Sequence, residues 1–306
     1  ENLHFFLPKT YIFKLPLTTI VVTYNRKEKL IRCLQHIQDQ NLSTDIIVID
    51  NMSTDGTQEV LKSLIQNHKI IYKRLEKNIG GAGGFSEGIK YAYNLGYEYF
   101  WVMDDDCMPK QDALSKLMAV NNRKLNYGFL ASKVLWKDGN ICTMNIPRKT
   151  PFKKVIDFDS KLVTISMASF VSLLIPRKIV KDVGLPIKDF FIWTDDWEYT
   201  RRISQKYPCY LENKSVVVHE SASNKGADIA SDSISRLKRY QYLYRNDVYL
   251  YRREGYRGFI YELARLTDHL LRVLFRANNN RYTRIKIIFK GTFDGIGFHP
   301  KIEKVD

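Results

Sequence analysis

Long apolar runs are absent from this chain of 306 residues. No stretch reaches 18 consecutive apolar residues, so no membrane-spanning helix is expected. Cysteine is sparse. Cys33, Cys107, Cys142 and Cys209 are scattered and form no Cys-x-x-Cys pair. That argues against a zinc knuckle and against a disulfide framework, and it fits reduced thiols in a cytosolic protein. No signal-peptide pattern, internal repeat or low-complexity tract is evident. Acidic residues are outnumbered, 33 against 48 Lys and Arg, which leaves a formal charge of +15 and implies anionic partners. From Arg236 onward sixteen basic residues face seven acidic ones, so most of the excess lies in the last quarter. The rest is ordinary globular composition, 44% hydrophobic and 26% charged. The opening Glu1-Asn2-Leu3-His4-Phe5-Phe6 is similar to a protease-site linker, and residues 1–15 are set aside as an extension that is part tag.

The first half alternates two periodicities. Leu17–Thr23 is short, apolar and β-branched, as a buried strand is, and Asp45–Asp50, Ile70–Leu75 and Tyr99–Met103 read as three further strands. Between them, Arg26–Gln40, Thr57–Asn67 and Phe85–Leu95 carry helical spacing. This alternation predicts a mainly parallel α/β sheet flanked by helices, with ligands beyond the carboxyl ends of the strands. Thr23–Arg26, Asp50–Asp55, Asn78–Gly84 and Asp104–Asp106 should therefore meet along one edge. After Pro109 the pattern loosens. Tyr127–Ser132, Lys161–Ile175 and Val216–Val218 read as strands, Asp196–Lys206 as a helix, and residues 138–160 as a loop. From Ser233 the chain is helical, basic and rich in Tyr and Arg. The division is residues 16–232 for an α/β domain and 233–306 for a helical region.

Four motifs carry chemistry. Asp104-Asp105-Asp106 closes the strand Tyr99–Met103. Clustered carboxylates repel unless a cation joins them, and oxygen-rich sites suit Mg²⁺ or Mn²⁺. Asn78-Ile79-Gly80-Gly81-Ala82-Gly83-Gly84-Phe85 packs four glycines into five positions ahead of a helix. It is neither a Walker A loop nor a Rossmann fingerprint, and a sugar-nucleotide pocket explains its glycine density better than a flexible turn does. Asp195-Asp196 lies among Phe191, Trp193 and Trp197, where burial can raise a carboxyl pKa and prepare a general base; one acid can also cap the following helix. His219 ends Val216-Val217-Val218, well placed to reach a metal. Trp193 and Trp197 offer flat faces for a sugar ring, or are core.

Together these segments resemble the family 2 glycosyltransferases of GT-A fold. The match runs through Val21-Val22-Thr23-Tyr24-Asn25-Arg26, Val48-Ile49-Asp50-Asn51-Met52-Ser53-Thr54-Asp55-Gly56-Thr57, the glycine run, the Asp triplet, Asp195-Asp196 and His219. The glycine run followed by three Asp looks most like the galactofuranosyltransferase branch, and some rhamnosyltransferases carry similar runs. The resemblance implies a Rossmann-like sheet and an inverting, metal-dependent transfer from a UDP-sugar. It assigns Asp104, Asp106 and His219 to the metal. Thr23, Asn25, Arg26, Asp50, Asn78, Gly80, Gly81, Gly83, Gly84, Asp104 and Asp105 would border the donor. Asp196 would be the base, supported by Asp195, with Trp193 and Trp197 toward a saccharide or lipid-linked acceptor. One departure stands out. Many family members have Asp-Asp-Gly-Ser after the second strand, whereas this chain has Asp50-Asn51-Met52-Ser53.

In the basic quarter, Leu263, Leu266, Leu270, Leu271 and Leu274 form an apolar stripe near Arg265, Arg272 and Arg276. That pattern suits a helix lying on an anionic membrane, which would place a cytoplasmic enzyme on the inner face; it also suits a packed helix with a solvated basic face. The competing class is a nucleic-acid-binding protein, which the charge favours but which leaves the acids and glycines unexplained. Within the enzyme class the alternative is a rhamnosyltransferase using a dTDP-sugar.

Overall fold

The computed structural model describes residues 16–122 and 126–306. The extension expected over residues 1–15 lies outside the described residues. The chain begins β1 (Leu17–Thr23), α1 (Lys27–Gln38), β2 (Asp45–Asp50), α2 (Thr57–Gln66), β3 (Ile71–Arg74), α3 (Gly80–Asn94) and β4 (Tyr99–Asp104). It continues through β5 (Cys107–Pro109), α4 (Ala113–Asn121), β6 (Leu130–Trp136), β7 (Arg148–Thr150), β8 (Lys153–Lys154), β9 (Leu162–Ile165) and β10 (Leu173–Pro176). Then come α5 (Arg177–Val183), α6 (Asp195–Ser204), β11 (Cys209–His219), α7 (Ile234–Arg252), α8 (Gly255–Arg276) and α9 (Arg281–Ile296).

Among the described residues, nine strands form one sheet in the order β3-β2-β1-β4-β10-β6-β11-β5, with β9 also against β11. Pairing is parallel from β3 to β4 and again between β6 and β11, while β10 runs antiparallel between the two blocks. All seven residues of β1 are buried because helices cover both faces. Alternate side chains feed opposite cores. Leu17 and Val21 join Trp101 and Met103 under α1, α2 and α4. Ile20 and Val22 join Phe100 and Val102 under α3, α5 and α6. Trp101 is fully buried and satisfies its indole by donating to Ser172 Oγ at 2.8 Å. Helices α7, α8 and α9 share a smaller core around Leu237, Tyr244, Val273 and Ile288. The tail then returns to the sheet domain, where Glu303 pairs with Lys90 and Tyr93 donates to the Asp306 carbonyl.

Past Pro109, expectations need correction at several places. The stretch Lys161–Ile175 is two strands, β9 and β10, because β9 pairs with β11 while β10 inserts between β4 and β6. The strand expected at Tyr127–Ser132 starts later and runs to Trp136, where β11 pairs with it along its length. The loop over residues 138–160 contains the β7–β8 hairpin.

Candidate active site

The strand register sets the site. Thr23 lies opposite Asp50, and Val22 opposite Asp104, so β1, β2 and β4 end along one edge. There the Thr23 hydroxyl donates to Asp105 Oδ2 at 2.7 Å. Arg26, just ahead of α1, reaches Asp106 at 2.9 Å and Asp105 at 3.3 Å. Lys29, one turn further on, reaches Asp106 at 3.3 Å. His219 arrives from the end of β11 with Nε2 3.1 Å from Asp106 Oδ1 and Nδ1 2.7 Å from Asn145 Oδ1. Both ring nitrogens face oxygen acceptors, which is the pattern of an imidazolium.

The three aspartates are driven apart electrostatically. Burial pushes Asp104 up to about 6, and the charge of Asp106 adds to the rise. Burial likewise lifts Asp105 to about 7 despite Arg26. Burial works in the same direction on Asp106, but His219, Arg26 and Lys29 outweigh it and hold this carboxyl below the usual range. Burial opposes the imidazolium of His219, yet hydrogen bonds to Asp106 and Cys142 and the nearby acids push it up to about 10.

Oxygens of Asp104 and Asp106 and the thiol of Cys107 lie within 4.8 Å of one another. Burial raises the Cys107 thiol well above its ordinary range, so it stays protonated and packs in the core. Among the described residues the Asp104 carboxylate has no side-chain hydrogen bond or ion pair; the Cys33 thiol reaches only its backbone carbonyl, at 3.7 Å. Two hard carboxylates and an imidazole suit a divalent cation such as Mn²⁺ or Mg²⁺, whose binding would require His219 to release a proton.

The facing wall is α6 and the loop ahead of it. Asp195 and Asp196 are the first two residues of the helix, after Thr194. Burial pushes Asp195 up to about 7. Burial, then the charge of Asp195, raise Asp196 well above the usual range. One Asp196 oxygen accepts the Trp197 amide at 2.7 Å, which leaves the other for chemistry. Asp195 is the more buried of the two, at 7% exposure. Phe191, Trp193 and Thr194 have φ of +63°, +65° and +67°. For side chains other than glycine such backbone costs about 1–3 kcal/mol per residue, and it persists where the surroundings hold it. Trp193 packs edge-on against Tyr240 at 5.0 Å, and the Arg148 guanidinium lies 4.4 Å over Trp197. Both indoles line a cavity of about 950 Å³ together with Asp104, Asp106, Asp195, Asp196 and His219.

The residues expected around a donor separate into two groups. Arg26, Asp104 and Gly81 line the cavity. Gly83 and Gly84 do not. A Cβ on Gly84 would lie 2.5 Å from Val22, and one on Gly83 2.6 Å from Ile79. Helix α3 starts at Gly80 rather than Phe85, so Gly84 seats its first turns against β1 and Gly83 makes room for Ile79 at its N-terminus. Gly80 has φ +76°, and a Cβ there would lie 2.0 Å from the Phe191 carbonyl. Asn78 accepts from the Gly80 amide at 2.8 Å and shapes the turn. Asp50 is fully buried, held by the Tyr72 hydroxyl at 2.5 Å and the Ser53 amide at 2.8 Å. Asn25 receives the Thr54 amide at 2.7 Å. Thr23 and Asp105 are buried partners of one another.

Several contributors escaped the sequence reading. Asn51 accepts from Ile79 N at 2.9 Å and donates to Gly80 O at 2.7 Å, a two-way role that an ionised Asp could not fill. This accounts for the departure from the Asp-Asp pattern. Lys29 was legible as one helical turn beyond Arg26. Asn145 and Asp247 carried no local signal. Arg265, expected on a membrane-facing stripe, instead lines the cavity and pairs with Asp247 and Glu262.

A sheet with this strand order and acids at its carboxyl edge defines the GT-A class. Residues 18–184 match the model for glycosyl transferase family 2, and the chain belongs to that family. It is 35% identical over 91 residues to galactofuranosyltransferase GlfT1 of Mycolicibacterium smegmatis, covering 29% of this chain and 30% of that protein. It is 35% identical over 102 residues to abequosyltransferase RfbV of Salmonella typhimurium, covering 32% and 30%. The chain thus aligns with less than a third of the length of these relatives. The mannosyltransferase PcManGT of Pyrobaculum calidifontis, solved with GDP-Man and Mn²⁺, superposes with a TM-score of 0.56 at 17% identity. That superposition covers 92% of this chain and 74% of the other.

Proposed function

We propose that this protein is a metal-dependent, inverting glycosyltransferase. Its donor is a nucleotide-sugar, with UDP-galactofuranose the leading candidate, and its acceptor is a saccharide or lipid-linked saccharide of cell-surface polysaccharide synthesis. One observation carries the reading: Asp104, Asp106 and His219 share a cavity with Asp195 and Asp196, so a diphosphate site and a base candidate meet in one space. The likeness to GlfT1 supports the galactofuranose donor, whereas the comparable likeness to the abequosyltransferase RfbV supports a donor carrying a different sugar as the second reading.

Asp104, Asp106 and His219 would hold Mn²⁺ or Mg²⁺, which when bound neutralises charge on a diphosphate leaving group. Arg26 and Lys29 add positive charge beside the same carboxylates. Asp196 takes the proton of the acceptor hydroxyl as that oxygen attacks the anomeric carbon. The bond to the diphosphate breaks from the opposite side, so configuration inverts without an enzyme-bound intermediate. The raised pKa of the acid pair suits a base working near neutral pH. Trp193 and Trp197 border the space an acceptor ring would enter.

The protein works, in this reading, as a peripheral enzyme on the inner face of the cell membrane. No helix among the described residues is long and apolar enough to cross a membrane. Support comes from the outer faces of α8 and α9, where Tyr256, Phe259, Leu263, Phe275, Phe289 and Phe293 are all more than half exposed. Incubation with a panel of UDP-, dTDP-, GDP- and CDP-sugars, reading nucleotide release with and without EDTA, tests the donor and the metal together. Release from UDP-galactofuranose that EDTA abolishes is expected; release from none of the panel would defeat the proposal.

A further inference from the structure

The loop that presents the acid pair is held from outside the sheet domain. Three consecutive residues of α7 grip it. Asn246, fully buried, donates its amide to the carbonyls of Phe190 at 3.0 Å, Ile192 at 3.2 Å and Trp193 at 2.9 Å. Arg245 donates to the Asp189 carbonyl at 2.6 Å and fixes the Asn246 oxygen at 2.9 Å. Asp247, also buried, accepts from the Thr194 hydroxyl at 2.6 Å. Behind it, Arg265 of α8 pairs with the second Asp247 oxygen and with Glu262 at 3.2 Å. On the other side of the loop, the Phe191 carbonyl accepts the Ala82 amide at 3.2 Å and closes over Gly80. The segment with three positive-φ side chains is thus clamped between α3 and α7.

We infer that Asn246 and Asp247 are positioning residues that set the aim of Asp195 and Asp196 through the backbone of residues 190–194. The chemistry of each side chain fits the task. Three carbonyls converge on Asn246, so only a donor satisfies them, and an isosteric Asp would repel all three. Asp247 holds the residue immediately before the acid pair, and Arg265 and Glu262 keep its carboxylate in place. The C-terminal helices therefore take part in catalytic geometry in addition to any surface role. This inference rests on the reading of Asp195 and Asp196 as the reacting acids.

The test uses the full chain labelled with 5-fluorotryptophan. Its four tryptophans give four ¹⁹F resonances, with Trp193 assigned from Trp193→Phe. Asn246→Asp is expected to shift or broaden the Trp193 signal and leave Trp101 unmoved. It should lower kcat with UDP-galactofuranose at least tenfold and keep UDP–Mn²⁺ affinity within threefold. Asp247→Asn, a milder change, should act in the same direction and non-additively with Thr194→Val. If Asn246→Asp does not fold, that second pair decides alone. A fall in kcat without movement of Trp193, movement without a fall in kcat, or neither, would overturn the inference. Retained transfer in both Asp195→Asn and Asp196→Asn would instead defeat the reading of the acids, while the ¹⁹F signature would still report whether α7 holds the loop.

Discussion

Asp196→Asn is the sharpest test of the proposed chemistry. A positioned general base contributes about 10²–10⁴ in rate, or roughly 2.7–5.5 kcal/mol of barrier. Transfer should fall by that factor while UDP–Mn²⁺ binding, followed by calorimetry, stays near the parent value. The structure adds a second signature of opposite sense. Asp195 is moved from 3.8 to about 7. A carboxyl whose folded pKa exceeds its unfolded one burdens the native state when ionised, here by up to about 4 kcal/mol at and above pH 7. That burden fades as pH falls from 7 toward 4. Asp196 carries a burden of the same sign, from burial and from the charge of Asp195, and Asp196→Asn removes it. The variant should therefore melt higher than the parent in EDTA at pH 8, with the gap closing by pH 5. Turnover by the parent should rise with pH around and above 7 rather than near 4. Transfer within threefold of the parent, or loss of activity with a lower melting temperature and lost UDP binding, would refute the reasoning. If Asp195→Asn is the dead variant and Asp196→Asn is active, the two roles are exchanged.

EDTA should abolish transfer and Mn²⁺ or Mg²⁺ restore it, and Asp106→Asn should weaken metal-dependent UDP binding at least tenfold; full activity in EDTA would reject the metal. Because the cation must displace the His219 proton, Mn²⁺ affinity should rise with pH, by up to about tenfold per unit. Gly84→Ala would put a methyl 2.5 Å from Val22 and should cost about 1–3 kcal/mol in urea denaturation. Gly81→Ala, which meets nothing within 4 Å, should leave stability unchanged. The protein should sediment with vesicles containing phosphatidylglycerol, and Phe259→Ser with Phe293→Ser should release it without altering UDP–Mn²⁺ binding; unchanged sedimentation would remove α8 and α9 as the anchor.

Legibility in the sequence followed the range of the interactions involved. Strands β1, β2 and β4 were readable because covering both faces of a sheet demands continuous apolar, β-branched runs. The Asp triplet stood out because its repulsion is local. The glycine run was visible, but its task was not. The atoms that forbid a side chain on Gly80 and Gly84 belong to Phe191 and Val22, more than fifty residues away in each direction. Asp50 was matched by motif, yet Tyr72 and Arg74, which both reach its second oxygen, do so only once β3 lies beside β2. In the acid pair, the order of neighbours along the chain suggested a cap and a base. The structure shows instead two raised carboxyls on one helix end, with Thr194 before them tied to Asp247.

The same distinction changes how the basic last quarter should be understood. Not every cation in its excess charge faces solvent. Arg265 is committed to Asp247 and Glu262, and Arg284, 2% exposed, donates to the carbonyls of Ile229 and Asp232. Arg252 caps the end of α9 through the Gly295 and Ile296 carbonyls, and Arg245 grips the loop ahead of α6. These four cations hold backbone and carboxylates in place, so the field reaching a lipid surface is smaller than the formal count. Reversing Arg265 would break the cavity wall before it altered membrane affinity. What the outer faces of α8 and α9 do offer is aromatic area: Tyr256, Phe275, Tyr282 and Phe293 are each at least 77% exposed. Burying such rings depends on apolar area and little on ionic strength, whereas attraction of surface cations is screened within a Debye length. Salt should therefore weaken vesicle binding without abolishing it.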